Sequence, residues 1–263
     1  MKDHTSGESG MVRGNIANGP AAPDSPDRLL QSPVIVLSPP RSGSTLLRAI
    51  LGSHTRMHAP HEPLLSQITV TVPLGPAAAA MTLLGHDQEA LQHLLWDRLL
   101  HLELTRSGKP TLVLKSPTDT LVWPRLAACW PDARFVFLLR HPAAILASWR
   151  EATGLPAEPS THLLGQFTRA VDEARQELPG TTVRYEQLVA DPATVMAGVC
   201  ERLGVAYEPG MLHYGHHVTG PFVRGVGDWL DKIHTGRIQP ARPTPAAELP
   251  EPLAGIVAAW DYT

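Results

Sequence analysis

Val34-Ile35-Val36-Leu37-Ser38-Pro39-Pro40-Arg41-Ser42-Gly43-Ser44-Thr45 begins with four apolar residues, three of them β-branched, and ends in small hydroxyl residues and glycine. Such a short apolar run reads as a strand buried on both faces of a parallel sheet. The next residues form a loop. Leu46, Leu47, Ile50 and Leu51 then recur at helical spacing, and Gly52-Ser53 marks the helix end. The same order of strand, loop and helix recurs downstream. Thr111 to Leu114 is a second strand that stops at Lys115, and Pro124 opens a helix beyond it. Arg134 to Leu139 is the clearest strand and stops at Arg140; Pro142 suits the first turn of the helix that follows. After a helix near residues 160–177, Thr181 to Tyr185 makes a fourth strand. Asp191-Pro192 starts a helix that ends at Leu203-Gly204. Asp87 caps another helix, whose Leu91, Leu94, Leu95, Leu99 and Leu102 read most simply as core. Strands alternating with helices specify an α/β fold: a single domain with a central parallel β-sheet flanked by helices. Residues 1–30 lack periodicity and read as a flexible N-terminal tail, leaving residues 31–263 as the folded domain.

The chain has 263 residues and a formal net charge of -3, with 43% hydrophobic and 18% charged residues. That length suits one compact domain, and the charge balance excludes a generally basic nucleic-acid binder. No apolar run approaches the ~18–20 residues that span a bilayer, and the polar start, Met1 to Asp27, has no apolar core of a signal peptide. Cys129 and Cys200, the only cysteines, are too few for a disulfide framework or a thiolate zinc site. Composition therefore predicts a soluble cytoplasmic protein that engages neither nucleic acid nor membrane. The Pro-rich stretch from Gln239 to Pro252 reads as a surface connection before a last helix ending at Trp260.

In an open parallel sheet, ligands bind beyond the carboxyl ends of the strands. The residues there are Ser38 to Thr45, Lys115-Ser116, Arg140-His141 and Tyr185-Glu186, so three of the four strand ends carry a cation. The first loop sets backbone N–H groups and the hydroxyls of Ser42, Ser44 and Thr45 at a helix N-terminus, an anion cradle. By itself that loop reads equally well as a plain β-to-α turn; the converging cations favour the cradle. A P-loop kinase fits poorly. Ser38 stands where its motif needs the first glycine, Ser44 where it needs the lysine, and Arg140 where a strand end would hold magnesium with a carboxylate. These features point to group transfer from a nucleotide without a metal.

These segments resemble the sulfotransferases that use 3′-phosphoadenosine 5′-phosphosulfate (PAPS), in the form found in bacterial and tyrosylprotein sulfotransferases. Pro40-Arg41-Ser42-Gly43-Ser44-Thr45 is similar to that family's 5′-phosphosulfate loop, and Arg140 through Ser148 to its 3′-phosphate motif. Tyr185-Glu186-Gln187-Leu188 with Asp191-Pro192 resembles a third segment, whose Tyr lies near the adenine. Gly225-Val226-Gly227-Asp228-Trp229 resembles a late segment that closes over the nucleotide. The resemblance implies a P-loop-kinase-like sulfotransferase fold, with PAPS as cosubstrate, adenosine 3′,5′-bisphosphate as product and no metal. It implies that Arg41, Ser42, Gly43, Ser44 and Thr45 hold the 5′-phosphosulfate, Arg140 and Ser148 the 3′-phosphate, and Tyr185 and Gly227 the remainder of the nucleotide. Arg41 and Lys115 would neutralise charge at the transferring group.

The acceptor hydroxyl needs a base. Many cytosolic members of the family carry a His two residues after the Lys; Pro117 occupies that position here. The resemblance to tyrosylprotein-type enzymes implies Glu62, in His61-Glu62-Pro63, as the base; orienting Arg41 or a neighbouring loop is its other reading, and His61 is an alternate base. His54, His58 and His61 have a metal-like spacing, but among thirteen histidines chance proximity explains them better. His216-His217 is equally ambiguous. Residues 63–86, 151–162 and 208–222, with few charges, are the expected acceptor loops. They favour a fairly apolar small molecule or secondary metabolite, with a carrier-bound substrate and a tyrosyl peptide as alternatives, and the number of subunits, one or a homodimer, is left open. The competing functions are a nucleotide-dependent phosphotransferase and a non-catalytic nucleotide sensor.

Overall fold

The computed structural model describes residues 28–216, 235–245 and 248–262. Gly227 with the rest of Gly225–Trp229, His217 and residues 1–27 lie outside these described residues.

In chain order the elements are β1 (Val34–Leu37), α1 (Ser44–Ser53), β2 (Met57–His58), α2 (Pro76–Leu83), α3 (Gln88–Ser107), β3 (Thr111–Lys115), α4 (Trp123–Cys129) and β4 (Arg134–Leu139). They continue as α5 (Pro142–Thr153), α6 (Ala157–Glu177), β5 (Gly180–Arg184), α7 (Tyr185–Ala190), α8 (Pro192–Arg202) and α9 (Leu253–Ala259). The five strands form one parallel sheet in the order β2-β3-β1-β4-β5. β1 is central, with Val34 level with Val113 on one side and Arg134 on the other. All four β1 residues are buried because both faces are covered. Val34 and Val36 pack with Leu47, Ile50, Val113, Val136 and Val199 beneath α1 and α8. Ile35 and Leu37 face the other way, onto Trp96, Leu114, Leu126 and Phe137 beneath α3 and α4. Parallel strands all point their carboxyl ends to one edge, so the loops after β1, β3, β4 and β5 meet there.

Several local expectations are corrected. Leu94, Leu95 and Leu102 of α3 are 40%, 42% and 38% exposed, so they are not core. The helix instead buries Gln92, His93, Trp96, Asp97 and Leu100. Three of these have polar partners from outside the helix: Gln92 Nε2 and Trp96 Nε1 donate to the Ile68 carbonyl, at 2.7 and 3.1 Å. Asp97 accepts from the Leu29 and Leu30 amides and from Trp130 Nε1. The first two of those bonds carry the ordered domain into the expected tail, where Leu30 is 1% exposed. Tyr185 begins α7 rather than ending β5, and Gly180 starts that strand. A Cβ at Gly180 would lie 2.4 Å from the Phe137 ring, so glycine allows the close strand approach. The short β2 and the helix α2, within a region read as loop, had no clear periodic signal. Among the described residues, no helix is long and apolar enough to cross a membrane.

Candidate active site

The loop between β1 and α1 has two left-handed residues, Arg41 at φ 66° and Gly43 at φ 89°. At Gly43 glycine is required twice over. The backbone region disfavours a side chain, and a Cβ would lie 2.3 Å from the Tyr185 ring. The turn delivers the chain into α1, whose N-terminus has no side-chain cap. Its first-turn amides are therefore the local positive end of a helix dipole, open to an anion.

Arg140, just beyond β4, locks this loop to the neighbouring helix. Its Nη1 donates to the Arg41 carbonyl at 2.8 Å, and its guanidinium lies 4.5 Å from the Tyr185 ring centroid. Arg41 Nε in turn donates to Ser148 Oγ on α5, at 3.2 Å. Burial pulls the Arg140 guanidinium below its ordinary value, although Tyr185 and Glu186 oppose that shift. Arg140 Nε has no hydrogen-bond partner, and among the described residues no carboxylate forms an ion pair with it. A half-buried cation with an unbonded Nε and no close ion pair among the described residues favours an anionic ligand.

A second group lies beyond β3. Lys115 Nζ, 1% exposed, pairs with Glu62 Oε1, itself on a side chain only 8% exposed. Lys115 Nζ also donates to Thr45 Oγ1 at 3.4 Å, so the pair abuts the first turn of α1. The Glu62 loop is held from below by Arg48, a residue that sequence reading passed over. Arg48 is 4% exposed, and its Nη1 donates to the Ala59 and Pro60 carbonyls, at 2.9 and 3.3 Å. The sequence carried no clear signal for it, since Arg48 lies beside the stripe of Leu46, Leu47, Ile50 and Leu51 rather than within it. Asp119 was also missed. Its carboxylate accepts from the Leu65 and Ser66 amides, at 3.1 and 2.8 Å, and burial raises it above the usual carboxylate range.

Both groups face one cavity of about 840 Å³. Arg41, Gly43, Ser44, Thr45, Arg140, Ser148 and Tyr185 line it, and so does Glu62. Ser42 does not line it; Ser42 is completely buried. Lys115 reaches the site through Glu62 and Thr45. The Gln239 to Pro245 stretch is largely exposed, as expected of a surface connection, and it also lines the cavity, with Arg242 among the lining residues. Arg242 pairs with Glu151 of α5 at 2.8 Å. His54 is committed to packing: its Nε2 bonds the Ala206 carbonyl at 2.8 Å and its Nδ1 accepts from the Arg56 amide. Among the described residues, no three metal-ligating side chains come together.

Comparison with known proteins agrees with this architecture. The chain is 24% identical to the sulfotransferase domain from the Synechococcus PCC 7002 olefin synthase, with a TM-score of 0.68 over 91% of this chain and 98% of that one. For the sulfotransferase domain from the curacin biosynthetic pathway the values are 21% and 0.61, over 89% and 99%. Both likenesses are of fold. The nodulation protein NoeE of Sinorhizobium fredii is 33% identical over 132 residues, which are 46% of this chain and 32% of that protein. The chain thus spans about a third of the length of that relative. The model of the sulfotransferase family matches residues 33–209, the span that holds the β1–α1 loop, Glu62, Lys115 and Arg140. The chain belongs to the sulfotransferase family.

Proposed function

We propose that the protein transfers a sulfuryl group from PAPS to an acceptor hydroxyl by in-line displacement, with Glu62 as general base. One observation carries the reading. One cavity is lined by an anion cradle, made by the uncapped α1 N-terminus and the half-buried Arg140, and by Glu62, whose carboxylate pairs with the buried Lys115.

The residues present suit PAPS. Gly43 brings backbone rather than a side chain to the cradle, and the uncapped α1 amides, Ser44 and Thr45 would hold the 5′-phosphosulfate. Arg140 and Ser148, with Arg41 bonded to the latter, would hold the 3′-phosphate, and the Tyr185 ring supplies a flat face for the base. Bound there, PAPS supplies the sulfuryl group, whose S–O bond to the 5′-phosphate breaks as the acceptor oxygen attaches to sulfur. Glu62 accepts the proton that the acceptor oxygen loses. Lys115, fixed by Glu62 and Thr45, keeps its positive charge and stabilises the negative charge developing on the leaving oxygen. A preorganised donor of this kind is worth about 3 kcal/mol in comparable sites. Leu46, Leu64, Phe167 and Tyr214 line the same cavity, which supports a fairly apolar acceptor, small or carrier-bound. Cys129 and Cys200 are both buried free thiols, in keeping with a cytoplasmic setting.

The test is transfer of labelled sulfate from PAPS to a panel of alcohols and phenols in the presence of a chelator. A labelled ester is the expected product. Cosubstrate binding without transfer to any member of a broad panel would favour the nucleotide sensor.

A further inference from the structure

Beyond the family-matched residues 33–209, the stretch after α9 packs against residues that adjoin Arg140 and Tyr185 of the cavity lining. It is anchored by Trp260, which is completely buried and donates from Nε1 to Asp172 Oδ1 at 3.1 Å. Trp260 and Leu253 pack with Ile145 of α5 and Leu164 of α6. The anchor presents Tyr262 to two of the strand-end corners. Its hydroxyl donates to Glu186 Oε2 at 2.8 Å, and Glu186 Oε1 accepts from the His141 amide at 3.0 Å. The Tyr262 ring meets the His141 ring edge-on, with centroids 5.2 Å apart, and the Arg184 guanidinium lies 4.7 Å from the Tyr262 ring centroid.

His141 caps α5, its Nδ1 accepting from the Ala143 amide, and it directly follows Arg140. Glu186 directly follows Tyr185, on which Arg140 stacks. The Tyr262–Glu186–His141 chain therefore joins the β4–α5 corner to the β5–α7 corner at the two residues next to Arg140 and Tyr185. We propose that Tyr262 is a positioning residue: through Glu186 it fixes the corner that aims Arg140 at the 3′-phosphate of the cosubstrate. The inference rests on the PAPS reading of the cavity.

The test measures dissociation constants for adenosine 3′,5′-bisphosphate and adenosine 5′-phosphate by calorimetry, on the full chain and its variants. Tyr262→Phe keeps the ring and loses the bond to Glu186; Glu186→Gln keeps an acceptor and loses the charge. Each is expected to weaken the bisphosphate about tenfold, the worth of one hydrogen bond to a charged group, and to leave adenosine 5′-phosphate unchanged. Combining them is expected to cost no more than the larger single effect, because the residues act in series. Equal weakening of both ligands would show a merely structural role and overturn the proposal, as would additive single effects or no change. A wild-type protein that binds the two nucleotides equally well would refute the 3′-phosphate site itself, and this inference with it; that outcome is read before any variant is made.

Discussion

Glu62→Gln is expected to lower kcat for sulfuryl transfer about 10³-fold, the middle of the range for loss of a general base. The introduced amide is nearly isosteric with the carboxylate and still offers an oxygen to Lys115, so the cavity keeps its shape. What disappears is the capacity to take the acceptor's proton. In the proposed reading the α1 N-terminus and Arg140, not Glu62, hold the cosubstrate, so the dissociation constant for adenosine 3′,5′-bisphosphate should stay within about threefold of wild type. Thermal stability will fall as well, because Lys115 is 1% exposed and would face a neutral partner. Removing one member of a buried pair commonly costs about 3–5 kcal/mol, reduced here by the hydrogen bond that remains. Binding and turnover must therefore be measured on the same folded sample. A variant that binds the bisphosphate normally and turns over within about threefold of wild type would remove Glu62 as the base. The pair with Lys115 would then be purely structural.

The second large effect is expected at Arg140. Arg140→Ala should raise the dissociation constant for the bisphosphate about 100-fold, roughly 2.7 kcal/mol, as befits loss of charge-assisted bonds to a phosphate. Free-protein stability should change much less. The substitution removes a bond to the Arg41 carbonyl and a stacking contact on Tyr185, but it also relieves the burial of a cation that has no carboxylate partner among the described residues. These contributions oppose one another. The diagnostic result is a near-normal melting temperature with the ligand-induced rise abolished. A variant that binds the bisphosphate as tightly as wild type would move the 3′-phosphate site elsewhere in the cavity.

The sheet and the turn from β1 into α1 were legible because both rest on local rules. Val34 to Leu37 and Phe135 to Leu139 are apolar runs of strand length, and Gly43 stands just before residues with helical spacing. α3 misled because periodicity alone cannot say which stripe is buried. Its leucines formed one face, yet Gln92, Trp96 and Asp97 are the residues whose polar heads find partners in distant segments. Arg48 and Asp119 were illegible for a similar reason. Each holds backbone groups of the 59–66 loop, and sequence does not show which loop a buried charge will meet. The Gln239 to Pro245 stretch is the exposed connection that its prolines suggest, but only tertiary structure brings Arg242 to Glu151 and the cavity. The Tyr262–Glu186–His141 chain ties two strand-end residues to a tyrosine far along the sequence, and nothing local signals that link.

On the proposed reading, this cavity holds a nucleotide bearing a 3′-phosphate and needs no metal to do so. Equilibrium binding of adenosine 3′,5′-bisphosphate with a chelator present, set against ADP with magnesium, addresses that claim directly. The bisphosphate should bind and raise the melting temperature, with ADP and magnesium at least about tenfold weaker. Tighter binding of ADP with magnesium, and none of the bisphosphate, would contradict the account: the β1–α1 loop would then be a divergent kinase-type phosphate loop, and the roles given to Arg41, Lys115, Glu62 and Arg140 would fall together.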